Sequence, residues 1–144
     1  MNTHDDEGQI AVLSIGLAVV AIALVFVVVS ISALHLDRKA LQAAADMIAV
    51  DAASQLPDDY FASPDGVIRL TDAGVSDASH SYLTEHAAAI GVPNARLASP
   101  TGSPDGRTAV VTLTMRSEVI LIPALLSLPD AVQLTVTSRA RAGD

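Results

Sequence analysis

IAVLSIGLAVVAIALVFVVVSISAL, from Ile10 to Leu34, runs for 25 residues without a charged side chain. Its polar members, Ser14, Ser30 and Ser32, are small enough to bond back to their own helix backbone. As an α-helix it would be roughly 38 Å long, enough to cross a hydrocarbon core of about 30 Å with some tilt. A buried core helix in a chain of 144 residues rarely needs so long an apolar run. A cleaved secretory signal would start with positive charge and carry a shorter apolar stretch. Here the start is acidic (Asp5, Asp6, Glu7), so the stretch reads as a retained anchor. The expected organisation is a short tail over residues 1–8, a membrane helix over 9–34, a juxtamembrane helix over 35–56 and a small domain over 57–144. Nothing after the first span is long and apolar enough for a second, which makes this a single-pass protein of the cell membrane.

The remainder sets limits on function. From Ala40 to Asp144 there are twelve acidic residues against six arginines, a formal −6, and the whole chain carries −8. This balance argues against nucleic acid, which calls for a basic footprint. The chain has no cysteine and only four aromatic residues, two Phe and two Tyr. Disulfides, thiol chemistry and aromatic stacking platforms for bases or sugars are thereby excluded or disfavoured.

LDRKALQAAADMIAVDAASQL, Leu36 to Leu56, has no Gly or Pro and is rich in strong helix formers. Leu36, Ala40, Leu41, Ala44, Met47, Ile48 and Ala52 fall on one stripe at helical spacing, so the membrane helix should continue as an amphipathic helix until Pro57. The stripe either packs on its own domain or, being rich in alanine, lets a neighbouring helix approach closely. Leu41, Ala44, Asp46 and Ile48 are the candidate helix interface. Asp46 is the only charge between Ala40 and Val50.

Ser63-Pro64-Asp65-Gly66 and Ser103-Pro104-Asp105-Gly106 both have the residues of a type I turn. Each precedes a strand-like run, VIRL at Val67 and TAVVTLTM at Thr108. Between them a helix capped by Ser76 or Asp77 should run to about Ile90, with Tyr82, Leu83, His86 and Ile90 on one side and Gly91 and Pro93 as its stop. ARLA at Ala95 is a candidate strand pairing with Thr108–Arg116. Val132, Leu134 and Val136 alternate with Gln133, Thr135, Thr137 and Arg139, which predicts a final strand with one buried face. Pro123 and Pro129 exclude a regular central strand from VILIPALLSLPD, Val119 to Asp130, an apolar connection suited to core or to a contact. The fold class is therefore α+β: one membrane helix continuing into an amphipathic helix, then a small antiparallel sheet with one further helix.

Chemistry-bearing patterns are absent from the sequence. His80 and His86 are six apart, whereas two ligands on one helix face need a spacing of three or four. Asp58-Asp59 and Asp5-Asp6-Glu7 read as solvated charge. There is no phosphate loop, GxSxG elbow or HExxH. The expectation is a non-enzymatic protein without cofactor, metal or small-molecule substrate.

The opening from Glu7 to Ala53 resembles the N-terminal region of the TadE/TadG-like proteins of Flp (tight adherence) pilus assembly. In that family a Gly precedes the apolar span, a juxtamembrane Arg follows it, and an L-Q-x-A-A-D-A-A-like helix comes next. The matching residues are Gly8, Arg38, Leu41, Gln42, Ala44, Ala45, Asp46 and Ala49. The rear is also similar, with a strand, the connection from Ile122 to Pro129 and a terminal strand through Leu134-Thr135-Val136-Thr137. The resemblance implies a minor pilin-like or pseudopilin-like component that meets other pilus-assembly proteins, with its domain outside the cytoplasm. It also implies Gly8-Gln9 as the candidate processing site. Leu13 would then stand at the fifth mature position, where the family pattern has a glutamate. Arg38 and Lys39 follow the span while the tail is acidic, and by the positive-inside rule this favours a cytoplasmic domain. The competing reading is thus a single-pass protein whose cytoplasmic binding module regulates a membrane complex. A small anchored hydrolase would need a site that the sequence does not display.

Overall fold

The computed structural model describes residues 3–55, 69–118 and 131–142. One helix, α1, runs unbroken from Thr3 to Ser54. From Leu17 onward it contains neither Gly nor Pro, so nothing in its sequence interrupts the hydrogen-bond ladder. The sequence divisions at residues 8 and 34 fall inside this single element. Its apolar window has a mean hydropathy of 3.2 and none of it is buried, as expected of a surface that meets lipid. Ser30 and Ser32 donate to the carbonyls of Phe26 and Val28, both at 2.9 Å, so their hydroxyls need no external partner.

The second helix, α2 (Asp72–His86), begins earlier than the sequence reading placed it. Thr71 has extended backbone angles, and its hydroxyl accepts from the Gly74 N–H at 3.0 Å, capping the helix five residues ahead of Ser76. The helix ends at His86 rather than near Ile90, and turns lead from there to Gly91, whose φ is +78°. Three strands follow, β1 (Arg96–Gly102), β2 (Thr108–Glu118) and β3 (Ala131–Arg141). They form an antiparallel sheet in the order β1-β2-β3. The expected strand at Ala95 and the alternation on the last strand are both present. Of the expected strand VIRL, Val67 and Ile68 lie outside the described residues; Arg69 and Leu70 are in no strand, and the Leu70 N–H donates to the Gly106 carbonyl at 2.8 Å. The turn at Ser63 and the connection Val119–Asp130 lie outside the described residues.

Both helices pack on one face of the sheet, α1 against β2 and β3 and α2 against β1. The core joins Leu41, Ala44, Ile48 and Ala52 of α1 to Val75 and Leu83 of α2 and to Val111, Leu113 and Val136 of the sheet. Alanines bring the α1 backbone close, while Leu41 and Ile48, both fully buried, supply the bulk. Each large aliphatic side chain stabilises the domain by about 1.5–3 kcal/mol through burial. The stripe differs from the sequence reading at two positions, since Leu36 is 66 % and Met47 47 % exposed. Their places on the buried face are taken by Ala45, Ala49 and Ala53.

Two polar ties fix α1 on the sheet. Ser117 Oγ donates to Asp37 Oδ2 and Ser138 Oγ to Asp46 Oδ1, each at 2.5 Å. Ser138 faces Val111 across the β2–β3 ladder while Ser117 lies six residues further along β2. The chain of α1 therefore runs with β3 and against β2.

Candidate functional site

The surface left on α1 after its domain has packed is itself apolar. Leu41, Ala44 and Ile48, three of the residues that sequence reading offered to a partner helix, are at most 1 % exposed inside their own domain. A partner helix does not reach them; the alanine-rich stripe is consumed by the intramolecular core. On the opposite side of α1, Leu36, Ala43, Met47 and Val50 remain exposed. They recur at intervals of seven, four and three residues; Ala40, at the position between the first two, is half-buried against the core. Those intervals are the seam spacing of two packed helices. Continued backward at the same interval, the seam passes through Ala33, Val29, Phe26, Ile22 and Val19 of the span, all of them apolar. Inside the span such continuity is unavoidable. Outside it, exposed Leu36, Met47 and Val50 have no reason in their own domain to be apolar.

Asp46 borders this seam. It is exposed, and its Oδ1 accepts from Gln42 Nε2 at 3.0 Å as well as from Ser138. On the other border, Asp51 Oδ2 accepts from Gln55 Nε2 at 3.0 Å. A shallow groove joins Asp46, Met47, Val50, Asp51 and Ser54 to Tyr82 of α2. Tyr82 stacks on His86 with ring centroids 4.6 Å apart. The groove is thus apolar along its floor and edged by carboxylates. This suits a helix face with small or apolar residues and donors at its margins.

Gly8 and Gln9 are exposed on α1, and no atom stands within 4 Å of where a Gly8 side chain would begin. Residues 8–55 match the family model for Flp pilus assembly, TadE/G-like. The chain carries a TadE/G-like region. The TadE/G-like match covers the span and the whole exposed seam, and stops where α1 ends. No curated protein and no solved structure matches the chain. The matched family is described by assembly of a pilus, not by a reaction.

The Ser103–Gly106 turn holds a carboxylate well below its usual range. Asp105 accepts from the Arg107 N–H at 2.9 Å, from the Thr108 hydroxyl at 2.8 Å and from the Thr108 N–H at 2.6 Å. These bonds, with that from Arg107 foremost, stabilise the anion and lower its pKa from 3.8 to about 2. Gly106, at φ +69°, supplies the left-handed residue that the turn needs. The anion's donors all come from its own turn, so its role is to shape the entry to β2. His80 and His86 lie on α2, both exposed, and no group of three metal-binding side chains occurs among the described residues.

Proposed function

We propose that this chain is a membrane-anchored, minor pilin-like assembly component of an Flp-type pilus or related secretion machinery. It works by lateral packing of α1 against the helices of other assembly proteins. The single observation that carries this reading is the exposed seam of Leu36, Met47 and Val50 continuing the span beyond the membrane. A helix that is apolar on both of its opposite sides has one side for its own core and one for a neighbour. In the membrane, close packing and a few polar groups favour association; outside it, burial of Met47 and Val50 adds a hydrophobic term. Asp46, at the border of the seam, would offer its second carboxylate oxygen to a donor on the partner.

The test is Val50→Asp in the full chain. Val50 is 61 % exposed, so the monomer's thermal unfolding should be unchanged while recovery of pilus-assembly partners by co-purification falls. Equal partner recovery from the variant would refute the seam. In this reading the domain lies outside the cytoplasm, and alkaline phosphatase fused after Asp144 should be active. An inactive fusion would favour the second reading, a cytoplasmic binding module, which Arg38 and Lys39 after the span support. Cleavage after Gly8 would leave Gln9 as the first residue of the mature chain. Mass spectrometry of the native N-terminus reads this directly, and an intact tail would remove processing from the proposal.

A further inference from the structure

The two ties between α1 and the sheet set the height of each strand residue above the bilayer. Ser117 reaches Asp37, three residues beyond the end of the apolar run at Leu34, so this end of β2 stands about 5 Å above the hydrocarbon. Ser138, the register partner of Val111, reaches Asp46, about 14 Å further along α1. Six residues of β2 therefore climb about 14 Å, roughly 2 Å each, because the strands cross the helix obliquely. On this scale Arg116 stands about 7 Å above the hydrocarbon and Arg96, which pairs with Thr114, about 11 Å. Arg38 and Lys39, on α1 itself, stand at about 6 and 8 Å. All four side chains are exposed. The headgroup layer adds roughly 5–8 Å on each side of the hydrocarbon core. Three of the four thus lie within it, and Arg96 is just above, with a side chain long enough to reach down. Arg96 and Arg116 are diagonal neighbours on one face of the ladder, about 7–8 Å apart, and line one cleft with Asn94 and Asp37.

The acids are placed otherwise. At the level of these four basic residues stand Asp37, whose carboxylate accepts from Ser117, and Glu118, at the last register position of β2. Asp46 and Asp51 lie about 18 and 26 Å above the hydrocarbon. Asp72 accepts from the Ser103 N–H and Asp105 from the Thr108 N–H, both at the opposite end of the sheet. The acidic residues of α2, Asp77 and Glu85, lie beside the outer part of α1, since Tyr82 between them shares a groove with Val50 and Ser54. At physiological ionic strength, exposed charges more than about 8 Å apart are largely screened from one another. A lipid headgroup beside α1 therefore meets four basic residues against two acidic ones, and not the net −8 of the whole chain.

We propose that the membrane end of the sheet is a second lipid contact, where Arg96 and Arg116, with Arg38 and Lys39, bind the phosphates of anionic phospholipids around α1. The anchor selects this occupant. It holds the four side chains at headgroup height without any approach from solution, so the charge of the distant acids does not oppose the contact. A guanidinium meets a phosphate with paired donors, and the surface is continuous with the lipid-facing span. The inference rests on α1 as the anchor; it needs neither the seam, nor the pilus reading, nor a given side of the membrane.

The test uses the full chain in phosphatidylcholine vesicles that hold traces of spin-labelled phosphatidylglycerol or spin-labelled phosphatidylcholine. Electron paramagnetic resonance reads the ratio of the two association constants at the protein boundary. The wild type should prefer phosphatidylglycerol. Arg96→Gln with Arg116→Gln should lower that preference about fivefold, the share of one basic residue at the surface, since Arg96 stands above the layer. Arg96→Lys with Arg116→Lys keeps the charge and should keep the preference. Arg139→Gln with Arg141→Gln removes the same charge from the same sheet, roughly 20 Å or more above the hydrocarbon, and should leave the ratio unchanged. Raising the salt to about 0.5 M should lower the wild-type ratio, because the Debye length falls to roughly 4 Å. Flotation of each variant with the vesicles reports the anchor separately, and thermal unfolding reports the domain. Equal association of the two lipids with the wild type overturns the proposal. So does a proximal glutamine pair without effect, or a distal pair that lowers the ratio as much as the proximal one.

Discussion

Asp46→Ala tests how α1 is held to its sheet. Asp46 Oδ1 accepts from Ser138 Oγ at 2.5 Å and from Gln42 Nε2 at 3.0 Å. A hydrogen bond to a charged acceptor is worth about 1.5–3 kcal/mol when water is kept away. Asp46 is exposed, so water replaces part of that and the lower end applies, about 1.5 kcal/mol with the unpartnered Ser138 hydroxyl included. Losing the Gln42 contact costs a further ~0.3 kcal/mol. Alanine's better helix propensity returns up to ~0.7 kcal/mol. The net expectation is a destabilisation of about 1 kcal/mol, a melting-temperature drop of roughly 4–8 °C for a domain of this size. Ser138→Ala should cost less, because it leaves the carboxylate free to hydrate. The double mutant should show a coupling of about 1 kcal/mol between the two positions. Thermal and urea unfolding of the detergent-solubilised chain, monitored by circular dichroism, measures all four corners of the cycle. Additive effects within about 0.3 kcal/mol, or an Asp46→Ala variant as stable as the parent, would refute the tie.

Ile48 is fully buried in the α1–sheet core, so Ile48→Ala should destabilise by about 2–4 kcal/mol, read as a fall in the urea midpoint at unchanged slope. At Gly102, φ is +153° and an added Cβ would collide with the Asp72 carboxylate, whose Oδ1 accepts from the Ser103 N–H at 2.6 Å. Gly102→Ala should therefore cost at least about 1 kcal/mol in the same assay, and a neutral result would show that this end of β1 yields freely. Asp105 titrates at about 2 in the folded chain and at 3.8 without its partners. Its contribution is complete above pH 3.8 and is lost as pH falls toward 2. Carboxyl carbon NMR should find Asp105 still largely ionised at pH 3, and Asp105→Asn should remove this component of acid destabilisation.

The elements that announced themselves did so through pattern. The apolar run from Ile10, the unbroken helix formers to Ser54, the alternation from Val132 and the Ser103–Gly106 turn each have a physical cause within a few neighbouring residues. The start of α2 was misplaced because Thr71 is one of several residues able to cap, and only the Gly74 N–H selects it. Of VIRL only Arg69 and Leu70 lie among the described residues; neither is in a strand, and Leu70 is buried with its N–H bonded to the Gly106 carbonyl. The role of α1's two sides was the larger gap. Leu41, Ala44 and Ile48 have the same spacing whether they meet a sheet or a partner, and only the fold shows that the sheet takes them. Leu36, Met47 and Val50 then stand out as the unpartnered set. Asp46 looked like a lone surface acid or an interface group because its partner Ser138 lies 92 positions away in the chain.

Because α1 carries the span and a core wall of the domain in one 52-residue helix, the two turn together. A rod of about 78 Å without a hinge fixes the azimuth of the sheet around the membrane normal. Whatever seats the seam of the membrane half also aims the three-stranded sheet in a set compass direction outside the bilayer. One residue inserted between Leu34 and His35 would swing that direction by about 100° while leaving span and domain each intact. Orientation, separately from affinity, is thereby written into the length of a single helix.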